Sequence, residues 1–277
     1  MLRELPHLEF LLIDHLIIHE RHDDQRTPPL IKRIRESKLW RNPPIVAPLK
    51  DGTERYMVLD GANRFTALQE MGFRDILVQV VQPDSPGLRL HTWNHVVWDM
   101  DANQFVRGIQ SIPGTKLVPA NPTAAPDLMG NCGLALIQFP GEEHYSLCTD
   151  AEELVQRVDT LNALVNSYVK TGHLDRTSGR DIGQLKTVYS NLAGLVIFPT
   201  FNIHDVLILA GSGFLLPTGI TRFTIAPRAL HLNYPLQELA ADRPLSDKNA
   251  ALKHWVQKRM ASKGIRYYAE PTFLFDE

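Results

Sequence analysis

Residues 58–68 read VLDGANRFTAL. The apolar run Tyr56–Leu59 is strand-like, and from Ala62 a helical pattern sets Phe65, Leu68 and Met71 at three- and four-residue spacing before Gly72. Asp60-Gly61 lies at the junction. A glycine there lets backbone come close to a ligand. The free N–H groups of the first helical turn, at the positive end of the dipole, then face outward as an anion site. Asn63 and Arg64 occupy that turn, a hydrogen-bond donor and a planar cation suited to phosphate oxygens. An arginine so early opposes the dipole, which an anionic partner would offset. Spacing alone leaves a plainer alternative open, with Asp60 as an N-cap and Arg64 as a solvated charge.

The flanking sequence extends the pattern. Pro44–Leu49 and Arg55–Leu59 are strand-like around Lys50-Asp51-Gly52-Thr53, an Asp-Gly hairpin signal. Asp75–Val81 predicts another strand. Thr27 as a cap, Pro28-Pro29, and then Leu30, Ile31, Ile34 and Leu39 predict a helix before the hairpin. The order helix, strand, strand, phosphate-binding helix, strand resembles the ParB/sulfiredoxin-like superfamily, and Asp60–Arg64 resembles its DG-x-x-R box. Within that superfamily the chain is most similar to the free L-serine kinases, both ADP-dependent and ATP-dependent. Further segments carry the likeness: Ile18-His19-Glu20-Arg21, Thr92-Trp93-Asn94-His95, Gly219-Ile220-Thr221-Arg222, and a tail from Tyr267-Tyr268-Ala269-Glu270 to Phe275-Asp276-Glu277. General character rather than motif carries it between residues 110 and 215.

The resemblance implies an α+β chain that transfers the terminal phosphoryl group of ATP or ADP to the hydroxyl of free L-serine. Such a transfer needs a positioned acceptor, a base for its proton, and cations around the moving group. Glu20 is implied as the base or orienting group. Asp60 is implied as the second catalytic carboxylate and as a Mg2+ ligand, a hard oxygen that suits that ion. Gly61, Ala62, Asn63 and Arg64 are implied at the nucleotide phosphates. Thr221 and Arg222 join them there or at the amino-acid carboxylate, and Trp93 and His95 line the amino-acid pocket. Two departures stand out. These kinases carry DG-H-H-R where this chain has Ala62 and Asn63, and Phe223 stands where a histidine is expected. Taken singly, each residue has a plainer reading. Glu20 sits in a polar HERHDD stretch, where His19, His22 and Asp23 read as scattered surface groups rather than a metal cluster. Trp93 and His95 read as core residues.

Composition fits an ordinary globular enzyme. The 277 residues are 44% hydrophobic and 22% charged, with 29 Lys+Arg against 31 Asp+Glu and a net charge of −2. No excess of positive charge points to nucleic acid, so a ParB-like nucleotide-dependent DNA-binding or regulatory protein is the second reading. A sulfiredoxin-like reductase would need a cysteine near the phosphate loop, and Cys132 and Cys148 are far from it. Without CxxC spacing, these two are expected as buried reduced thiols. The apolar stretch Leu5–Ile18 is too short and too broken to span a bilayer, and no secretory signal is visible, so a cytoplasmic protein is expected. Oligomeric state is not readable.

Along the rest of the chain, Leu88–Trp98 predicts one strand, Asp101 caps a helix Ala102–Ile109, and the proline-bearing segment 111–130 reads as an irregular connector. Gly133–Phe139 and His144–Cys148 predict a hairpin. Asp150 with Glu153 forms a capping box for a helix to about Lys170, with Leu154, Val158, Leu161, Leu164, Val165 and Tyr168 as its buried stripe. Leu195–Phe198 and Ile220–Ile225 predict strands, Leu245–Met260 a helix, and Arg266–Phe275 a closing strand. The expected division falls near residue 110. Residues 1–110 form a nucleotide-binding domain of ParB/sulfiredoxin type, and residues 111–277 an α+β domain that closes the cleft.

Overall fold

The computed structural model describes residues 5–21, 26–141 and 143–268. In chain order come β1 (His7–Leu12), β2 (Leu16–Ile18), α1 (Thr27–Ser37), β3 (Leu39–Trp40), β4 (Ile45–Pro48), β5 (Tyr56–Asp60), α2 (Ala62–Glu70) and β6 (Asp75–Val80). Five of the strands make one mixed sheet, ordered β1-β6-β4-β5-β2. β4 and β5 are antiparallel around the expected Asp-Gly turn, where Gly52 takes φ 84°. The apolar stretch after Leu5 forms β1 and β2, which end on opposite edges of this sheet.

Alternation along the two central strands explains why their sequence shows no polar face. Met57 and Leu59 of β5 pack into one hydrophobic core and Val58 into another; Ala47 and Val46 of β4 divide the same way. Both faces of the sheet are therefore covered, which demands near-continuous apolar runs. Helix α2 seats Phe65, Ala67 and Leu68 on one of those faces. Burial of a side chain as large as Phe65 or Leu68 contributes about 1.5–3 kcal/mol.

The chain continues through β7 (Leu88–Thr92), β8 (Asn94–Trp98), α3 (Ala102–Gln110), β9 (Thr115–Pro119), β10 (Gly133–Gln138), β11 (His144–Thr149), α4 (Leu154–Asn166), β12 (His173–Thr177), α5 (Ile182–Leu185) and β13 (Leu192–Ile197). It ends with α6 (Ile203–Gly211), β14 (Thr221–Ile225), β15 (Tyr234–Pro235), α7 (Leu236–Ala240) and α8 (Leu245–Ala261). A second sheet runs β12-β8-β13-β10-β11-β9, and two ribbons pair β14 with β7 and β15 with β3. Helices are interspersed among strands that pair mostly antiparallel, an α+β arrangement.

Packing crosses the boundary expected near residue 110 in both directions. β8 belongs to the second sheet. From the far end, Tyr234, Leu239 and Leu252 join the core of the first sheet. There Lys248 Nζ meets Asp75 Oδ2 at 2.7 Å, both side chains buried, and Asn249 Oδ1 accepts from the Phe10 N–H at 2.8 Å.

Several local expectations are corrected. The strand expected over residues 88–98 breaks at Trp93, because β7 pairs with β14 while β8 enters the second sheet. The connector 111–130 contains β9, which pairs with β11. Thr27 is the first helical residue of α1 and caps nothing, and α4 starts after Glu153 with no side-chain cap and ends at Asn166. Cys132 and Cys148 are joined as a disulfide, not held as thiols: the β10–β11 register puts Gly133 opposite Cys148, which brings the preceding cysteine within reach at a Cα–Cα distance of 4.6 Å. His22 and Asp23, and the closing strand and tail motif beyond Tyr268, lie outside the described residues. Among the described residues no helix is long and apolar enough to cross a membrane.

Candidate active site

The box opens on a cleft of about 1460 Å3 between the two halves of the chain. That exceeds the roughly 300–1,000 Å3 of a single-ligand pocket, so there is room for two small molecules. The Asp60-Gly61 corner shapes one wall. Gly61 takes φ 92°, and a Cβ there would stand 3.1 Å from Pro44 Cα and 2.8 Å from Arg64 Nη2, so the site tolerates only glycine. The first bond of α2 runs from the Phe65 N–H to the Gly61 carbonyl at 2.9 Å. Helix geometry leaves the earlier N–H groups, those of Ala62, Asn63 and Arg64, unpaired toward the cleft. Gly61 supplies no side-chain cap, so the reading of Asp60 as an N-cap does not hold. Asp60 Oδ2 instead accepts from Arg64 Nη2 at 3.2 Å and from Arg228 Nη2. Asn63 Oδ1 and Arg64 Nε are buried without a partner among the described residues. Buried polar atoms left so are costly, and a polar ligand would satisfy them.

Glu20 is held by the opposite end of the chain. Its Oε2 accepts from the Gly219 N–H at 2.9 Å, and its Oε1 accepts from the Thr221 N–H at 2.5 Å and from the Thr221 hydroxyl. Two backbone donors fix the carboxylate in position. Gly219 is at φ 75°, with Arg176 Cδ 3.1 Å from where a Cβ would be. Arg176 of β12 lines the cleft beside this clasp and has no acid partner among the described residues. Behind Glu20, His19 is 7% exposed; its Nδ1 donates to the Val58 carbonyl at 2.7 Å, and its Nε2 meets Thr221 Oγ1 at 2.8 Å. Burial lowers the His19 pKa, partly opposed by the Glu20 charge and the Val58 bond. Phe223 packs edge-on against the His19 ring at 5.3 Å.

The structure thus gathers Glu20, Asp60, Gly61, Ala62, Asn63, Arg64 and Thr221 around one cleft, and leaves Arg222, Trp93 and His95 outside its lining. Strand alternation accounts for Arg222: on β14, Thr221 and Phe223 face His19, so Arg222 points the other way and lies 4.3 Å over the Trp93 ring. His95 on β8 is fully buried. Its Nε2 donates to the Gly219 carbonyl at 3.3 Å and its Nδ1 accepts from the Tyr168 hydroxyl at 2.8 Å. Burial depresses its pKa to about 3. It supports the Gly219 turn from behind. Sequence reasoning missed Arg176 and Arg228, neither of which lies in a recognisable motif, and the role of His19. In all, the lining carries six arginines (Arg21, Arg26, Arg33, Arg41, Arg64, Arg176) against four acids (Glu20, Glu36, Asp60, Asp175). A chain of net charge −2 therefore presents a locally positive, anion-seeking cleft.

Curated proteins and solved structures resemble this chain. The ATP-dependent L-serine kinase SbnI of Staphylococcus aureus is 24% identical over 277 residues, covering 98% of both chains. Its C-terminally truncated structure superposes with a TM-score of 0.72 at 21% identity over 94% of this chain and 98% of that one. A free serine kinase variant in complex with ADP reaches 0.70 at 14% identity, over 86% and 95%. The fold is that of the free serine kinases. An ATP-dependent L-serine kinase of Desulfurococcus mucosus shares 32% identity over 81 residues, 29% of this chain and 31% of its own. No protein-family model matches the chain.

Proposed function

We propose that this protein phosphorylates free L-serine to O-phospho-L-serine, with ATP or ADP as phosphoryl donor. One observation carries the reading: a carboxylate fixed by backbone amides, Glu20, shares a cleft with an open helix N-terminus flanked by Arg64 and Arg228. The relatives named as L-serine kinases, and the ADP-bound structure of the same fold, support it.

In this reading the nucleotide phosphates lie on the amides of Gly61 to Arg64, with Asn63 and the two guanidinium groups around them. The arginines leave Asp60 Oδ2 for phosphate oxygens, to which a guanidinium is matched. Both arginine bonds use Oδ2, leaving Oδ1 without a protein donor among the described residues. A single carboxylate oxygen beside phosphates fits Mg2+, which keeps most of its waters. When bound, that ion neutralises charge on the transferring group. Glu20 takes the proton from the serine hydroxyl as the oxygen–phosphorus bond forms and the bond to the nucleotide's leaving oxygen breaks. Thr221 holds Glu20, and Arg176 meets the serine carboxylate. Trp93, His95 and Arg222 act from behind, setting the Gly219–Thr221 turn. The arginine-rich lining serves phosphate and carboxylate rather than a DNA backbone.

Competition among small hydroxyl acceptors tests the substrate. Serine is expected to give the highest kcat/KM over threonine, homoserine and ethanolamine. A different preferred acceptor would overturn serine as the substrate while leaving the cleft a kinase site.

A further inference from the structure

Protons can be counted along the line from Val58 through His19 and Thr221 to Glu20. The Val58 carbonyl only accepts, so His19 Nδ1 carries a hydrogen in its 2.7 Å contact. The Thr221 hydroxyl then has one hydrogen for two neighbours, His19 Nε2 at 2.8 Å and Glu20 Oε1. If it donates to Glu20, Nε2 must itself carry a hydrogen. If it donates to His19, Oε1 must carry one. A neutral imidazole facing an ionised carboxylate through that hydroxyl would leave one contact with lone pairs on both sides. All of these contacts are satisfied together only when the unit holds one proton more than a neutral histidine and a free carboxylate.

We propose that Glu20 and His19 act through Thr221 as one composite base, so that the proton drawn from the acceptor hydroxyl is shared with His19. This rests on Glu20 being the base of the proposed phosphoryl transfer. The balance is simple. Before the transfer the unit has released its extra proton, leaving His19 Nε2 bare and Glu20 ionised. The acceptor's hydrogen then goes to Glu20, the Thr221 hydrogen shifts to His19 Nε2 and Oγ1 takes the hydrogen from Glu20. This restores the fully bonded arrangement until release to solvent resets the unit. A lone carboxylate, with a pKa of about 4.3, is a weak base at neutral pH, and catalysis favours a base poised nearer the working pH. A carboxylate coupled to an imidazole titrates as a pair rather than as either group alone. Burial opposes charge on His19 and the Glu20 charge favours it, while the amides of Gly219 and Thr221 hold the Glu20 carboxyl in place. Phe223 closes the His19 ring from the side. The other charged groups facing the unit are Arg176 from β12, packed over Gly219, and Asp60 on β5, tied to Arg64 and Arg228; Arg222 is turned away on Trp93.

His19→Gln keeps an N–H aimed at Thr221 but cannot take up a proton. The acid limb of its kcat/KM pH profile is expected to move down by at least one pH unit, with kcat reduced about tenfold. Thr221→Val should move that limb the same way, and Thr221→Ser should restore it. Nitrogen NMR of labelled histidines provides a readout independent of turnover, in which Glu20→Gln lowers the His19 pKa by more than one unit. Superimposable pH profiles for wild type, His19→Gln and Thr221→Val, with His19 titrating identically in the Glu20→Gln protein, would overturn the composite base. Coupled titration in a protein that never phosphorylates serine would sustain the pair and refute the kinase reading.

Discussion

The two walls of the cleft are made in opposite ways. One is a single short segment, strand end, glycine and helix start, in which residues 60–64 supply the amides, the donor and the cation together. The other is assembled from distant pieces: Glu20 is clasped by Gly219 and Thr221, 199 and 201 residues away, with His95 and Arg176 brought in by separate strands of the second sheet. The first wall can form as soon as its own helix packs. The second exists only when the whole chain has closed. Binding anions is thus a local property of the sequence, and the base is a property of the fold.

That contrast can be broken by substitutions that act on one wall alone. The largest effect is expected from Glu20→Gln, which keeps shape but loses basicity: turnover should fall on the order of 10²–10⁴ while nucleotide affinity stays within experimental error. Equal activity would return Glu20 to an ordinary carboxylate. On the local wall, Arg64→Ala should weaken nucleotide binding by about 1.5–3 kcal/mol, the scale of a charge-assisted hydrogen bond, as read by calorimetry. A folded variant with unchanged affinity would separate Arg64 from the phosphates. Arg176→Ala should raise the KM for serine about tenfold or more and leave ethanolamine, which lacks the carboxylate, unaffected; a parallel loss for both acceptors would mean that Arg176 contacts something else.

The smallest effect concerns stability. His95 is neutral in the fold with its pKa lowered to about 3 by burial. Its contribution is complete above the unfolded value of about 6.5 and is lost as pH falls below it, because the unfolded chain then binds a proton that the native state refuses. Denaturation midpoints should show stability declining below pH 6.5 with up to about 1.4 kcal/mol per pH unit from this residue. The decline should be correspondingly flatter in His95→Gln. A profile that is the same in both proteins would show that His95 takes up its proton as readily in the native state as in the unfolded chain.

Legibility followed the same division. The strand, turn and helix of residues 56–70 were readable because a short continuous apolar run gives way to a 3.6-residue period across a glycine, and the Asp-Gly hairpin before them has its own turn chemistry. The split at Trp93 was not readable, since nothing local tells a strand which of two sheets it will join. Arg222 could have been placed correctly from alternation alone, because neighbouring residues on one strand cannot both face the same cleft. Arg176 and Arg228 carry no local mark, and only closure of the chain puts them beside Glu20 and Asp60. The disulfide was hidden because the cysteines meet through hairpin register rather than a short spacing motif.

The central claim is that both walls serve one reaction. Its most direct test is to incubate the purified protein with L-serine, Mg2+ and ATP or ADP and follow O-phospho-L-serine by mass spectrometry, with binding to random duplex DNA measured at physiological salt on the same sample. The account predicts phosphoserine that requires all three components, and no appreciable DNA binding from a chain of net charge −2. Tight, steeply salt-dependent DNA binding with no serine-dependent turnover would contradict it.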